Sequence, residues 1–287
     1  MPKGSVVLVT GLLPYDSGKT WFSLALVKEL RALGVKAGYA KPVAGHNAWH
    51  QFATVLRSIE KNMLVGEDVS RYEEMFGDDL RIVNPVDLLL VPHDPAAYSS
   101  FDEYYSRVEE QIGHVVLARF SKCTEKTDKH YQVKDSLPRV LPSMRVWIEK
   151  LAQRLGAEEI DTNTLLEMLK SREVEEELMK CLDILRSRYE IVVVESFNNA
   201  AVPFAGILKV VDLPIMVMPG YVVLLDTESF RDKVIKNAYT LGDEGLAMDK
   251  VVESDMAIHS EYLEPVLEPQ ELTPSSIAEK VIEILRR

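Results

Sequence analysis

The stretch Ser5-Val6-Val7-Leu8-Val9-Thr10-Gly11-Leu12-Leu13-Pro14-Tyr15-Asp16-Ser17-Gly18-Lys19-Thr20 decides the fold. Residues 5–10 form a β-branched apolar run, too short for a helix and closed by Gly11, which reads as a strand buried on both faces. From Gly18 to Leu33 apolar residues such as Phe22, Leu24, Leu26 and Leu30 fall on nearly every side, and Gly34 follows. That pattern is a buried helix with a glycine stop. Residues 36–41 then read as a second strand, so the opening is a strand, loop, helix and strand that cross over within a parallel sheet.

The chemistry lies between the first strand and the helix. A phosphate-binding loop needs inward-pointing backbone N–H groups, a lysine for the outer phosphates and a Ser/Thr hydroxyl for Mg at a helix start. Leu13, Pro14, Tyr15, Asp16, Ser17, Gly18, Lys19 and Thr20 supply such a loop. Gly18 permits close backbone approach, Lys19 neutralises β/γ charge and Thr20 ligates Mg. Gly11 precedes Gly18 by seven positions, against about five in the usual pattern, so this loop is longer or differently shaped. The alternative is a Ser-Gly-Lys-Thr run that caps a helix by chance; the strand before it and the helix after it favour the phosphate loop.

Further strands are expected at 86–91, 191–195, 207–211 and 214–217, separated by segments of helical period. The alternation predicts an α/β fold with a doubly wound, mostly parallel sheet in a single domain over residues 1–287. Thr273 as N-cap and Pro274 at the first helical position open a last helix with Ile277, Val281 and Ile284 along one face. Residues 96–188 read as a largely helical insertion, a lid or substrate wall, around a polar segment at 121–134.

Composition sets limits. A chain of 287 residues with 47% hydrophobic content buries a full core. A net charge of −12 opposes nucleic-acid and anionic-membrane binding. No stretch approaches the ~18 apolar residues of a membrane helix, so a cytoplasmic location is expected. The two cysteines, Cys123 and Cys181, read as ordinary buried thiols. His46 and His50, four apart, with His93 as a third group, raise a zinc site as an alternative to ordinary polar contacts.

Val9-Thr10-Gly11, the loop ending Gly18-Lys19-Thr20, and Ala37-Gly38-Tyr39-Ala40-Lys41-Pro42-Val43-Ala44 together resemble the opening of dethiobiotin synthetase, an ATP-using P-loop family. Val83-Asn84-Pro85 before Pro92-His93, and Val192-Val193-Val194-Glu195 before Pro203, extend the resemblance. It implies ATP and Mg as ligands, a homodimer, a small acceptor molecule, and Lys41 beside the γ-phosphate as a second catalytic cation. Two lysines stabilising charge on phosphoryl oxygens make physical sense; the alternative is a lysine snorkelling at a strand end. Glu195 corresponds to a metal ligand or to a group that orients metal-bound water, the alternative being a strand-end salt bridge. Asp68 falls near another metal-binding carboxylate of the family, the alternative being a solvated helix cap.

The likeness departs at two places. The glycine-rich stretch of the family after Glu195 is replaced by Ser196-Phe197-Asn198-Asn199-Ala200-Ala201, and a serine of its substrate loop by Gly45. The chain is thus expected to be a divergent member with a different substrate. ATP hydrolysis or phosphoryl transfer to a carboxylate or carbamate is the leading reading. The others are a regulatory or assembly ATPase and a polynucleotide hydroxyl kinase, for which Lys122, Lys126, Lys129 and Lys134 would hold phosphates against the overall charge.

Overall fold

The computed structural model describes residues 3–109, 111–268 and 271–286. In chain order the elements are β1 (Ser5–Gly11), α1 (Lys19–Ala32), β2 (Ala37–Ala40), β3 (Val43–Asn47), α2 (Phe52–Lys61), α3 (Glu67–Phe76) and α4 (Leu80–Val83). Next come β4 (Val86–Leu90), α5 (Phe101–Glu109), β5 (Val115–Lys122), β6 (Thr127–Val133), α6 (Pro142–Leu155), β7 (Glu158–Ile160), α7 (Thr162–Leu169) and α8 (Arg172–Arg188). The chain closes with β8 (Ile191–Glu195), β9 (Val211–Met218), β10 (Tyr221–Leu225), α9 (Thr227–Leu241), α10 (Met248–Val251), β11 (Ala257–Tyr262) and α11 (Ser275–Leu285). It is a mixed α/β protein with two sheets and two compact units, the first made of residues up to Pro42 and from Leu178 onward, the second of Val43–Glu177.

The first unit carries a six-stranded sheet ordered β11-β10-β9-β1-β8-β2. β1 runs parallel to both neighbours, with Val9 beside Glu195 of β8 and Ile215 of β9, and β2 continues the parallel set beyond β8. β10 and β11 add antiparallel strands at the other edge. β1 sits between two strands, so Val6 to Val9 are fully buried, which explains why this run is apolar without alternation. α1 packs on β1, β2, β8 and β9 and also on α11, so its apolar residues are buried nearly all round. α11 brings Ile277, Ala278 and Val281 to that layer.

Two strands expected at 207–211 and 214–217 are one. Residues Ala205–Lys209 form a 3-10 turn, and β9 runs from Val211 through Pro214 to Met218. Pro214 is tolerated because β10 pairs only from Ile215 on, so the missing N–H need not break a ladder bond on that side.

The second unit is built on a five-stranded sheet ordered β3-β4-β5-β6-β7. One apolar cluster gathers Val55 of α2, Leu89 of β4, Leu117 of β5, and Ile148 and Leu151 of α6. A smaller cluster joins Val115, Ala118 and Val133 to Leu165 of α7. The expected largely helical insertion at 96–188 is therefore corrected: it contains β5, β6 and β7, and the compact unit begins much earlier, at Val43. The polar segment 121–134 is the β5–β6 hairpin, in which His130 and Val133 point into the unit while the lysines lie outward or at its turn.

Inside this sheet Arg119 is fully buried. Its Nε donates to the Leu64 carbonyl at 2.8 Å and Nη2 donates to Asn84 O at 2.8 Å and Asn84 Oδ1 at 2.7 Å. Nη1 donates to Ser121 Oγ, and Asp87 Oδ2 lies 3.9 Å from Nη2. Burial pulls the guanidinium downward in pKa while Asp87 and Asp128 oppose that shift. A charge so deep is tolerable only with such a set of acceptors.

Neither cysteine is a free thiol, which corrects the expectation from sequence.

Candidate functional site

The loop after β1 is folded back onto the strand end. Leu12 N donates to Val217 O of β9 at 3.1 Å, continuing the ladder one residue past β1. Ser17, only 2% exposed, then staples the loop: its Oγ donates to Leu13 O at 2.9 Å and accepts from Leu13 N at 3.1 Å. Between these anchors Leu13, Pro14, Tyr15 and Asp16 are exposed, with Asp16 in the left-handed region at φ 52°. Gly18 is also left-handed, at φ 82°, and α1 starts at Lys19 directly after it. A side chain at Gly18 would strain that turn.

Gly11 answers the question of spacing. A Cβ there would lie 2.6 Å from Ser17 Oγ and 2.8 Å from Lys19 Nζ. The two extra residues bulge outward, and the loop still closes on Gly11 with the Lys19 ammonium drawn over the end of β1. So close a backbone passage requires a residue without a Cβ at position 11.

Glu195 ends β8 next to this loop and is fully buried. Its Oε1 accepts from Thr20 Oγ1 and from Lys41 Nζ, each at 2.8 Å, and its Oε2 accepts from Tyr39 OH at 2.7 Å. Lys41 is itself only 6% exposed. Three donors, one of them charged, are what a carboxylate removed from water needs. Strand alternation brings them together: Tyr39 and Lys41 are two apart, and Tyr39 pairs in register with Val193, two before Glu195.

The segment that follows Glu195 has its own order. Ser196 N donates to Val9 O at 2.9 Å, and the hydroxyls of Thr10 and Ser196 both donate to Ala200 O, at 2.9 and 2.7 Å. Asn198 takes φ 44°, so it serves as the turn residue.

Of the residues expected at the site, the fold gathers Gly18, Lys19, Thr20, Lys41 and Glu195 into one place, with Leu13 to Ser17 as the exposed arch beside them. Asp68 lies in the first turn of α3, in the second unit, where a negative charge suits the helix N-terminus. Among the described residues the three histidines do not form a metal-ligating group. His46 is on β3, with Nδ1 2.9 Å from Thr54 Oγ1 and Nε2 3.3 Å from Asp87 Oδ1, while His50 is an exposed turn residue. His93 bonds Tyr98 OH and stacks on His114 with ring centroids 4.1 Å apart.

Tyr39 was not singled out by sequence, although a tyrosine in a short strand buried on both faces must find a partner for its hydroxyl. Ser17 was assigned to the loop without its role as staple, because a serine bonding back four residues carries no periodic signal.

The site oxygens suit a hard divalent cation: the Thr20 hydroxyl and Glu195 carboxylate are adjacent, and both are oxygen donors. Both Glu195 oxygens are engaged by protein donors, so Thr20 is the group better placed to ligate a metal directly.

No family model matches the chain, and no curated protein matches it. Among solved structures it is similar to a KaiC-like protein from the hyperthermophilic archaeon Pyrococcus horikoshii, at 14% identity over 94% of this chain and 89% of that one, with a TM-score of 0.29. So loose a superposition carries no argument of its own. No helix among the described residues is long and apolar enough to cross a membrane.

Proposed function

We propose that the chain is a Mg-dependent P-loop ATPase that hydrolyses ATP or transfers its terminal phosphoryl group to a small carboxylate- or carbamate-type acceptor. The observation that carries this reading is the convergence of two lysines and one hydroxyl at the end of β1. Lys19 Nζ lies over Gly11, and Thr20 and Lys41 share one oxygen of Glu195.

In this reading the N–H groups that open α1, led by the left-handed Gly18, bind phosphate oxygens. Lys19 neutralises the outer phosphates, and Lys41 stabilises charge that grows on the transferred group. Mg supplies Lewis-acid stabilisation to phosphate oxygens when bound. Thr20 would hold it, and Glu195 would orient the shell around it. Glu195 also holds Lys41 in place, so its carboxylate must share or release that ammonium when phosphate arrives. ATP rather than GTP, and the acceptor class, are supported by the resemblance to dethiobiotin synthetase.

The test is isothermal titration of ATP and of GTP, with Mg, into the wild type and Lys19→Ala. Tight ATP binding by the wild type and its loss in the variant support the loop assignment. Equal binding by both proteins, or none by either, rejects it. With binding established, phosphate release that stays slow until a small carboxylate or amine is supplied distinguishes a transferase from a plain ATPase.

A further inference from the structure

We propose that Tyr39 is a positioning residue that keeps Glu195 aimed at the metal shell when Thr20 and Lys41 turn to the nucleotide, a role that rests on the phosphate-loop reading. The donors on Glu195 are divided between its two oxygens. Oε1 takes Thr20 and Lys41, the two groups that phosphate and Mg would draw away. Oε2 takes the Tyr39 phenol, which has no charge to attract it to phosphate.

Tyr39 is also the least movable of the three. It is fully buried, and its backbone is held in the β2–β8 ladder opposite Val193, whereas Lys41 reaches the carboxylate from beyond the end of β2 on a flexible stem. The terminal torsion of a glutamate is broad and not locked by rotamer preference. A buried Glu195 stripped of its Oε1 donors would swing to follow the Lys41 ammonium, and so compete with phosphate for it. The phenol bond on Oε2 prevents that rotation. Oε1 is thereby left facing the position that Thr20 occupies.

Tyr39→Phe keeps the ring and removes only the hydroxyl. The probe is a non-hydrolysable ATP analogue bound to wild type or variant, titrated with MgCl2. Loss of one hydrogen bond to a charged group should raise the half-saturating Mg concentration by about tenfold while affinity for the analogue without metal changes by less than about twofold. Equal losses in both titrations would mean general damage, and no change in either would mean that the phenol does not hold Glu195; each overturns the proposal.

If the wild type binds no nucleotide, the loop reading is what has failed, and a second measurement judges the Tyr39–Glu195 link alone. Urea unfolding of Tyr39→Phe, Glu195→Gln and the double variant should show non-additivity of about threefold or more in the unfolding constant. Additive effects overturn the proposal.

Discussion

Gly11→Ala probes the claim that the long loop is a built structure closing on β1. The new Cβ would stand 2.6 Å from Ser17 Oγ and 2.8 Å from both Ser17 Cβ and Lys19 Nζ. The lysine end can swing aside at little cost. Ser17 cannot, because it is buried and its hydroxyl holds both the N–H and the carbonyl of Leu13. Either β1 shifts within a sheet paired on both sides, or the staple opens. Overpacking of this kind costs about 1–3 kcal/mol, and loss of a buried hydrogen bond falls in a similar range of about 1–3 kcal/mol. The expected destabilisation is therefore about 2 kcal/mol, with a fall of at least about tenfold in nucleotide affinity because Lys19 is displaced with the loop. Urea unfolding and ATP titration measure the two effects. Gly113→Ala is the control, since a Cβ there meets nothing within 4 Å. Wild-type stability and affinity in Gly11→Ala would refute the argument, because the loop would then not be packed against the strand end.

Two other perturbations have definite signs. Glu195→Ala removes one partner of the buried Lys41–Glu195 ion pair, which should cost about 3–5 kcal/mol; a loss below about 1 kcal/mol in urea unfolding would show the pair to be solvated. His93 and His130 are both lowered by burial to a pKa of about 4, with His114 adding to the first shift and the Arg119 charge to the second. Their ordinary value is 6.5, so below it the unfolded chain takes up protons that the folded chain refuses. Stability should be fully retained above pH 6.5 and fall as the pH drops toward 4, with a slope approaching two protons. His130 Nε2 accepts from Leu64 N at 3.2 Å, a bond only the unprotonated nitrogen can make. A flat denaturation midpoint between pH 6.5 and 5 would contradict these assignments.

What the sequence showed best were the parts where one local pattern has one physical solution. An apolar β-branched run before a glycine loop must be an interior strand, and β1 is one. β8 was legible for the same reason, with Glu195 conspicuous as a carboxylate ending an apolar run. The second unit was harder. Val115 to Ala118 carries strand character, but the helical periods on either side and the lysines of 121–134 hid the hairpin, because a strand with a polar outer face looks like a loop when its partner is unknown. Val83-Asn84-Pro85 matched a family pattern, yet its place in this structure is to give Asn84 to the buried Arg119, a long-range pairing that no spacing rule predicts.

The sequence by itself determined the strand–loop–helix unit, the lysine and threonine that open α1, and the parallel strands beside β1, since these depend on periodicity and chain stiffness over a few residues. Only the tertiary structure decided that Gly11 still closes a lengthened loop and that Tyr39 joins Thr20 and Lys41 on Glu195. Those outcomes depend on contacts across as many as 175 residues of chain, where the deciding quantity is the need of a buried charge for partners, and that need can be met by any donor the packing brings within reach.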